Sequence, residues 1–336
     1  MIKEERLHAI SIMRVMAMLM IVTYHSMLYY TETWWMFDKP IIPLWEKLSN
    51  ILNAIDLPMF VFISGVLFGH LYITKHKYRD KKKFIIKKFQ RLIIPYIFWG
   101  IFLIIFMPSI NKVENLFIGI GHLWFLLMLY EVFVIVILGA KFLCINASRW
   151  HLFLLYICLC IIFCLYHIFS NHQFFLCIHA TLLYLPAFIL GICCARFHFE
   201  HIITGKWARI LLLMSLACLS IYMLYDIKTP FIADYLIQML TGYTIILCTF
   251  VLLSKKTHST KKLPNIITNA DHLSLGIYIF NQIVINALLL MPGIPYVLNN
   301  HYYIGVPMLF LIGLIIPYTL TWLLCKNRYL KWTIGG

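Results

Sequence analysis

Acidic residues are scarce in this chain: 13 Asp and Glu stand against 28 Lys and Arg in 336 residues, a formal net charge of +15. Charge of either sign is scarce too. Only 12% of residues are Asp, Glu, Lys or Arg, about half of what soluble domains carry (~25%). That deficit excludes an ordinary soluble domain, and no polar block is long enough to form one. The ten cysteines include no C-x-x-C pair and lie almost entirely in apolar runs. They read as small apolar residues with free thiols rather than a disulfide or metal framework. A small-residue cleavage site is missing after the first apolar run, so that run is expected to stay as a membrane helix. Ten-residue segments of alternating hydropathy are missing as well, which excludes an outer-membrane-type barrel.

What remains is hydrophobic: 62% of residues and a mean hydropathy of +0.86. Ten apolar runs are long enough to span, at roughly 10–30, 50–72, 91–107, 120–140, 150–169, 174–195, 208–225, 231–253, 270–291 and 302–325. Backbone groups in hydrocarbon have no water to bond, so the runs must be helices. The expected fold is an all-α polytopic membrane protein forming a single transmembrane domain over 1–336. Apart from Arg14, the only Lys and Arg on the odd-to-even connections are Lys39, Lys47, Lys112 and Lys228, and every other one lies on the opposite side. The positive-inside rule then places both termini in the cytoplasm, as expected of a multi-pass protein of the cell's inner membrane. The positive charge thereby reads as topology, not as a nucleic-acid surface.

Polar residues inside the runs are the candidates for function. Arg14 and His25 share the first span. A buried Arg costs at least ~2.5–3.5 kcal/mol on insertion scales, so such residues mark sites. Eleven residues at ~100° each make three turns plus ~20°, which puts both side chains on one stripe ~16 Å long. Span 2 opens on Asp56 and Pro58 and runs into Ser64-Gly65. Asp56 is either a solvated acid at the helix start or the orienting partner of a histidine. Ser64-Gly65 either packs helices closely or lets a ligand approach the backbone. The basic segment from Lys75 to Arg91 reads as topology and headgroup attraction, or as a dock for a phosphorylated ligand through Lys88 and Arg91. At the start of span 4, His122 and Trp124 suit the membrane interface. Glu131, nine residues further in, needs an interior partner, with Arg14 the candidate. In span 9, Asn281 and Gln282 suit interhelical hydrogen bonding. His198 and His201 lie in a cytoplasmic loop and read as solvated, without a role, and no metal-ligating set is expected.

These pieces in order resemble the acyltransferase-3 family of membrane O-acyltransferases, which modify glycans and other cell-surface molecules. The resemblance rests on Arg6, Arg14 and His25, on Pro58-Met-Phe-Val-Phe-Ile-Ser64-Gly65, on Phe89-Gln-Arg91-Leu-Ile-Ile-Pro95-Tyr96, on His122-Leu-Trp124-Phe125 and on Ser274-Leu-Gly276-Ile-Tyr278. It implies His25 as the catalytic residue and Arg14, Lys88 and Arg91 on the side of the donor. Asp56, Ser64, His122, Trp124, Glu131, Tyr278 and Asn281 would give substrate or structural support. The chain departs from the family in two places. The earlier arginine of the basic motif is Lys87 or Lys88 here, which loses the bidentate fork. The histidine usual in span 9 is Asn281, which bonds but cannot act as a base. The implied activity moves an acyl group, expected to be acetyl, from cytoplasmic acetyl-CoA or another acyl-CoA to a hydroxyl of an extracytoplasmic or lipid-linked glycan. Acyl-CoA would be a co-substrate, with no permanently bound cofactor. The bilayer, the acyl-CoA and the saccharide acceptor would be the partners, with no nucleic acid. The alternative from another class is a polysaccharide or lipid exporter.

Overall fold

The computed structural model describes residues 2–32, 39–107, 112–169, 176–225, 230–256 and 263–336, without the side chains of 2–7, 168, 169 and 231. Of the residues named above, the Arg6 side chain and Lys228 lie outside the described residues. Among those described there is no strand. The helices are α1 (Ile2–Leu28), α2 (Pro43–Asn53), α3 (Asp56–Lys75), α4 (Lys81–Lys88), α5 (Ile94–Phe106), α6 (Asn115–Ile118), α7 (Trp124–Leu138), α8 (Arg149–Phe169), α9 (Ile178–Phe197), α10 (Phe199–Ile202), α11 (Gly205–Leu224), α12 (Phe231–Lys256), α13 (Asn265–Leu289), α14 (Ile294–Asn300) and α15 (Tyr302–Lys326). Among the described residues, ten helical stretches are long and apolar enough to cross a membrane, as the hydropathy predicts. The ten cysteines carry free thiols.

The second and third stretches start furthest ahead of expectation. The second runs over Pro43–Lys75, because α2 starts on a proline, where no intrahelical donor is needed, and leads almost directly into α3. The third runs over Lys81–Phe106, so much of the basic segment is helix rather than loop. Asp80 caps α4 by accepting the Lys83 backbone N–H at 3.0 Å, and Phe84 is buried beneath it. A π-helical turn, Phe89–Ile93, joins α4 to α5, and the Ile94 N–H donates five residues back to Phe89. Pro95 accounts for the break. It has no N–H for the carbonyl of Arg91 and its ring crowds that turn, so the ladder slips by one residue there.

The chain forms two compact units. The first comprises Met1–Phe60 and Ile203–Leu324. In it, Met18 and Val22 of α1 pack with Leu273 and Ile277 of α13, and Met27, Leu28, Tyr29 and Tyr30 pack with Ile285, Leu289, Leu298 and Leu309. Without a hydrophobic force between helices in lipid, such contacts depend on close fit. Close approach comes from glycine: Gly276 lies against the Thr321 side chain, and Gly313 lies against the Asn281 amide nitrogen.

The second unit comprises Val61–Ile202 and Cys325–Gly336. Its helices α3 and α9 meet backbone to backbone. A Cβ on Gly65 would strike the Phe188 carbonyl, and one on Gly191 would strike the Phe62 carbonyl and the Val66 nitrogen. Of the two roles open to Ser64-Gly65, close helix packing is the one the structure shows for Gly65, and Ser64 beside it is half-buried. The C-terminal tail returns to α5: the Trp99 indole N–H donates to the Thr333 carbonyl at 2.8 Å, and Trp332 meets Phe98 edge-on at 5.2 Å. Gly65→Val is expected to force α3 and α9 apart at a cost of about 3 kcal/mol or more, read as a lowered thermal midpoint of the detergent-solubilised chain. A midpoint equal to the parent's would refute this account of the crossing.

Candidate active site

Two polar rungs join α1 to α13. On the first, Asp271 is the partner of Arg14: its Oδ1 accepts from Arg14 Nη1, and its Oδ2 accepts from the Ser11 hydroxyl at 2.8 Å. The side chains are 25% and 14% exposed, so both charges are largely withdrawn from their surroundings and balance each other. On the second, His25 Nδ1 and Asn281 Oδ1 lie 2.6 Å apart, with His25 7% and Asn281 0% exposed. The Asn281 amide nitrogen donates in turn to the Gly313 carbonyl at 2.8 Å.

This chain of bonds fixes the histidine tautomer. A backbone carbonyl only accepts, so the Asn281 NH2 must face Gly313. The amide oxygen then faces His25, and it too only accepts. Nδ1 must therefore carry the proton, and in the neutral imidazole the lone pair is on Nε2. Gly313 is part of the device: a side chain there would meet the Asn281 amide nitrogen at 2.7 Å and push α15 away. Tyr278, buried at 5% exposure, lies three residues before Asn281 on the same helix. Ser274 is buried one turn earlier and closes on the Asp271 carbonyl at 2.8 Å.

The rungs are eleven residues apart on α1 and ten on α13, in the same order along both helices. The two helices thus run in parallel and in register, with rungs ~15–16 Å apart along the axis. Asp271 and Ser11 were not among the residues singled out from the sequence. The signal was present, because the spacing of Asp271 and Asn281 matches that of Arg14 and His25 to within one residue.

The expectations for two carboxylates need correction. Glu131 is not the partner of Arg14. Its Oε1 accepts the Cys177 backbone N–H at 3.0 Å and its Oε2 accepts the Thr181 hydroxyl at 2.7 Å. Cys177 and Thr181 begin α9, so this carboxylate, carried by α7, caps the positive end of another helix. Asp56 is not a solvated acid. It is 1% exposed, and its Oδ1 accepts the Leu57 backbone N–H at 2.5 Å, so its hydrogen bond serves the start of α3 and not a histidine.

Other named residues sit in the second unit. His122 is 6% exposed, buried rather than interfacial, in a 3-10 turn at Gly121–Leu123. Gly119 precedes it at φ +106, where a Cβ would meet Trp124 and the Cys177 sulfur, so glycine is required for that turn. Trp124 stacks on Tyr184 at 6.0 Å. Lys88 holds its ammonium 3.5 Å from the Phe133 ring centroid and 5.5 Å from that of Phe84, a cation–π seat. Arg91, in the π turn, and Lys87 are exposed. Glu131→Leu is expected to remove the α9 cap and cost about 2 kcal/mol, since hydrogen bonds to charged groups are worth ~1.5–3 kcal/mol. Glu131→Gln should fall between that variant and the parent in thermal midpoint, and equal midpoints for all three would refute the capping role.

A family model described as an acyltransferase domain matches residues 7–326, nearly the whole chain. The chain belongs to the acyltransferase-3 family, and its class is that of a membrane acyltransferase. No curated protein and no solved structure matches it.

Proposed function

We propose that the chain is an O-acyltransferase that moves an acyl group, acetyl in the simplest case, from acyl-CoA to a hydroxyl of an extracytoplasmic or lipid-linked glycan, in the inner membrane with both termini cytoplasmic. The observation that carries the reading is the His25–Asn281–Gly313 chain. It buries an imidazole within a membrane span, locks its tautomer and leaves Nε2 as the basic nitrogen. Nε2 takes the proton of the acceptor hydroxyl as its oxygen attacks the thioester carbonyl. The carbon–sulfur bond breaks, and the departing thiolate takes the proton back from His25. Asn281 is the positioning residue: it holds the ring in orientation and accepts from Nδ1–H throughout, including when the imidazolium forms. Arg14 lies on the same helix face, its charge balanced by Asp271, and holds α1 in register with α13. The exposed Lys87 and Arg91 suit the nucleotide phosphates of a CoA donor. Lys88 would have to leave the Phe133 ring to join them.

The test compares surface glycans of cells with and without the chain by mass analysis, alongside transfer from acetyl-CoA labelled in the acetyl group. Acetyl esters that disappear with the chain, and label that reaches the glycan only in its presence, are the expected result. Unlabelled glycans together with failed glycan export on deletion would favour an exporter instead.

A further inference from the structure

The segment that closes α9 carries ligand-type side chains that acyl transfer does not use. His198 ends the helix in the left-handed region, at φ 54, with its N–H on the Cys194 carbonyl. The one-turn helix α10 begins at the next residue, and the His201 N–H donates back to the His198 carbonyl at 2.8 Å. This tight path gathers His198, Glu200 and His201, whose ligand atoms all lie within 4.8 Å of one another. Glu200 is 7% exposed, while both imidazoles are exposed. A withdrawn carboxylate is thus flanked by two solvent-facing nitrogen ligands.

We propose that His198, Glu200 and His201 bind one divalent transition cation of the zinc class. Two imidazole nitrogens and one carboxylate oxygen form a borderline donor set. It suits zinc, cobalt or nickel and not magnesium or calcium, which take mainly oxygen ligands. The geometry is close to what such an ion needs. Bonds of ~2.0–2.2 Å place the ligand atoms of a tetrahedral site ~3.3 Å apart. His198 Nδ1 and Glu200 Oε1 are already 3.4 Å apart. The His201 ring, 5.9 Å from that of His198 between centroids, is exposed and closes the remaining gap by side-chain rotation. Three protein ligands leave the fourth position to water. The ion also offsets the cost of withdrawing the Glu200 carboxylate from water. Its effect is to clamp α10 onto the end of α9.

The test uses the full chain in detergent, stripped with a chelator and titrated with cobalt, then with zinc in competition. The expected result is one saturating equivalent with the visible absorption bands of four-coordinate cobalt, displaced by zinc. The double variant His198→Ala/His201→Ala should lose those bands and bind at least tenfold more weakly. Both substituted side chains are exposed, and an unchanged circular dichroism spectrum checks the fold. Glu200→Gln, which keeps shape and loses the anionic ligand, should also weaken binding. Zinc should raise the thermal midpoint of the parent and not that of the double variant. The proposal is overturned if the parent takes up no cobalt at micromolar concentration, or if the double variant binds it as tightly as the parent.

Discussion

His25→Ala is expected to lower acyl transfer by about 10²–10⁴-fold, the range that a positioned acid–base group supplies, with membrane insertion unchanged. Part of any loss would be structural. The side chain is 7% exposed, and its removal strands the Asn281 amide oxygen, at a cost of about 1–3 kcal/mol. His25→Asn separates the two effects. Its amide nitrogen stands at the same distance from Cβ as Nδ1 and can donate to Asn281 Oδ1, so the thermal midpoint should recover toward the parent. Asparagine has no basic nitrogen, so the rate should stay as low as for alanine. A His25→Asn chain that acylates its acceptor at the parent rate would remove His25 from the chemistry. Asn281→Ala should lower kcat by about 10–100-fold with little change in KM, because the imidazole remains but loses the acceptor that sets its tautomer and orientation. Asn281→Asp keeps an acceptor for Nδ1–H but sets a carboxylate oxygen against the Gly313 carbonyl. Its cost should appear mainly in stability.

The spans were legible in the sequence because lipid imposes one rule, a long apolar helix. Helix α4 was not, because hydropathy cannot see a helix that stands on a cap and a single buried ring, Asp80 and Phe84. Within the site, the stripe that joins Arg14 and His25 followed from the helical period alone. Their partners did not, since the periodicity of one helix says nothing about which other helix it faces. Asn281 was named, but as a departure from the family. Only the structure makes it the acceptor that sets the tautomer of His25. Asp271 sits at the edge of its apolar run, where an acid reads as the polar end of a span. Glu131 was rightly marked as needing a partner, but a count of side-chain charges overlooks backbone amides. Its partners are an N–H and a hydroxyl at the start of α9. His122 read as interfacial because the turn made by Gly119 and Gly121, which folds it inward, shows only in backbone angles.

Asp271→Ala is expected to destabilise the first unit by about 3–5 kcal/mol, because it leaves the Arg14 guanidinium unbalanced where it is largely withdrawn from water. Arg14→Ala should cost a similar amount, since the Asp271 carboxylate would keep only the Ser11 hydroxyl. Ser11→Ala should cost about 1 kcal/mol. Removing both charges with residues of similar bulk, Arg14→Met with Asp271→Leu, should cost much less than the two single changes together. A double-mutant cycle on thermal midpoints measures that coupling, and additive losses would show that the ion pair is not what holds this position. The second consequence concerns chemistry on a rung that neither residue touches. A slip of one residue between α1 and α13 turns one helix face by ~100° relative to the other, which no side chain as short as Asn281 can follow. The Arg14–Asp271 rung fixes that register. Asp271→Ala should therefore lower kcat through a misplaced Asn281, and the double apolar variant should restore stability without restoring the full rate. If it restored both, packing alone would set the register, and the ion pair would serve only to balance its own charges.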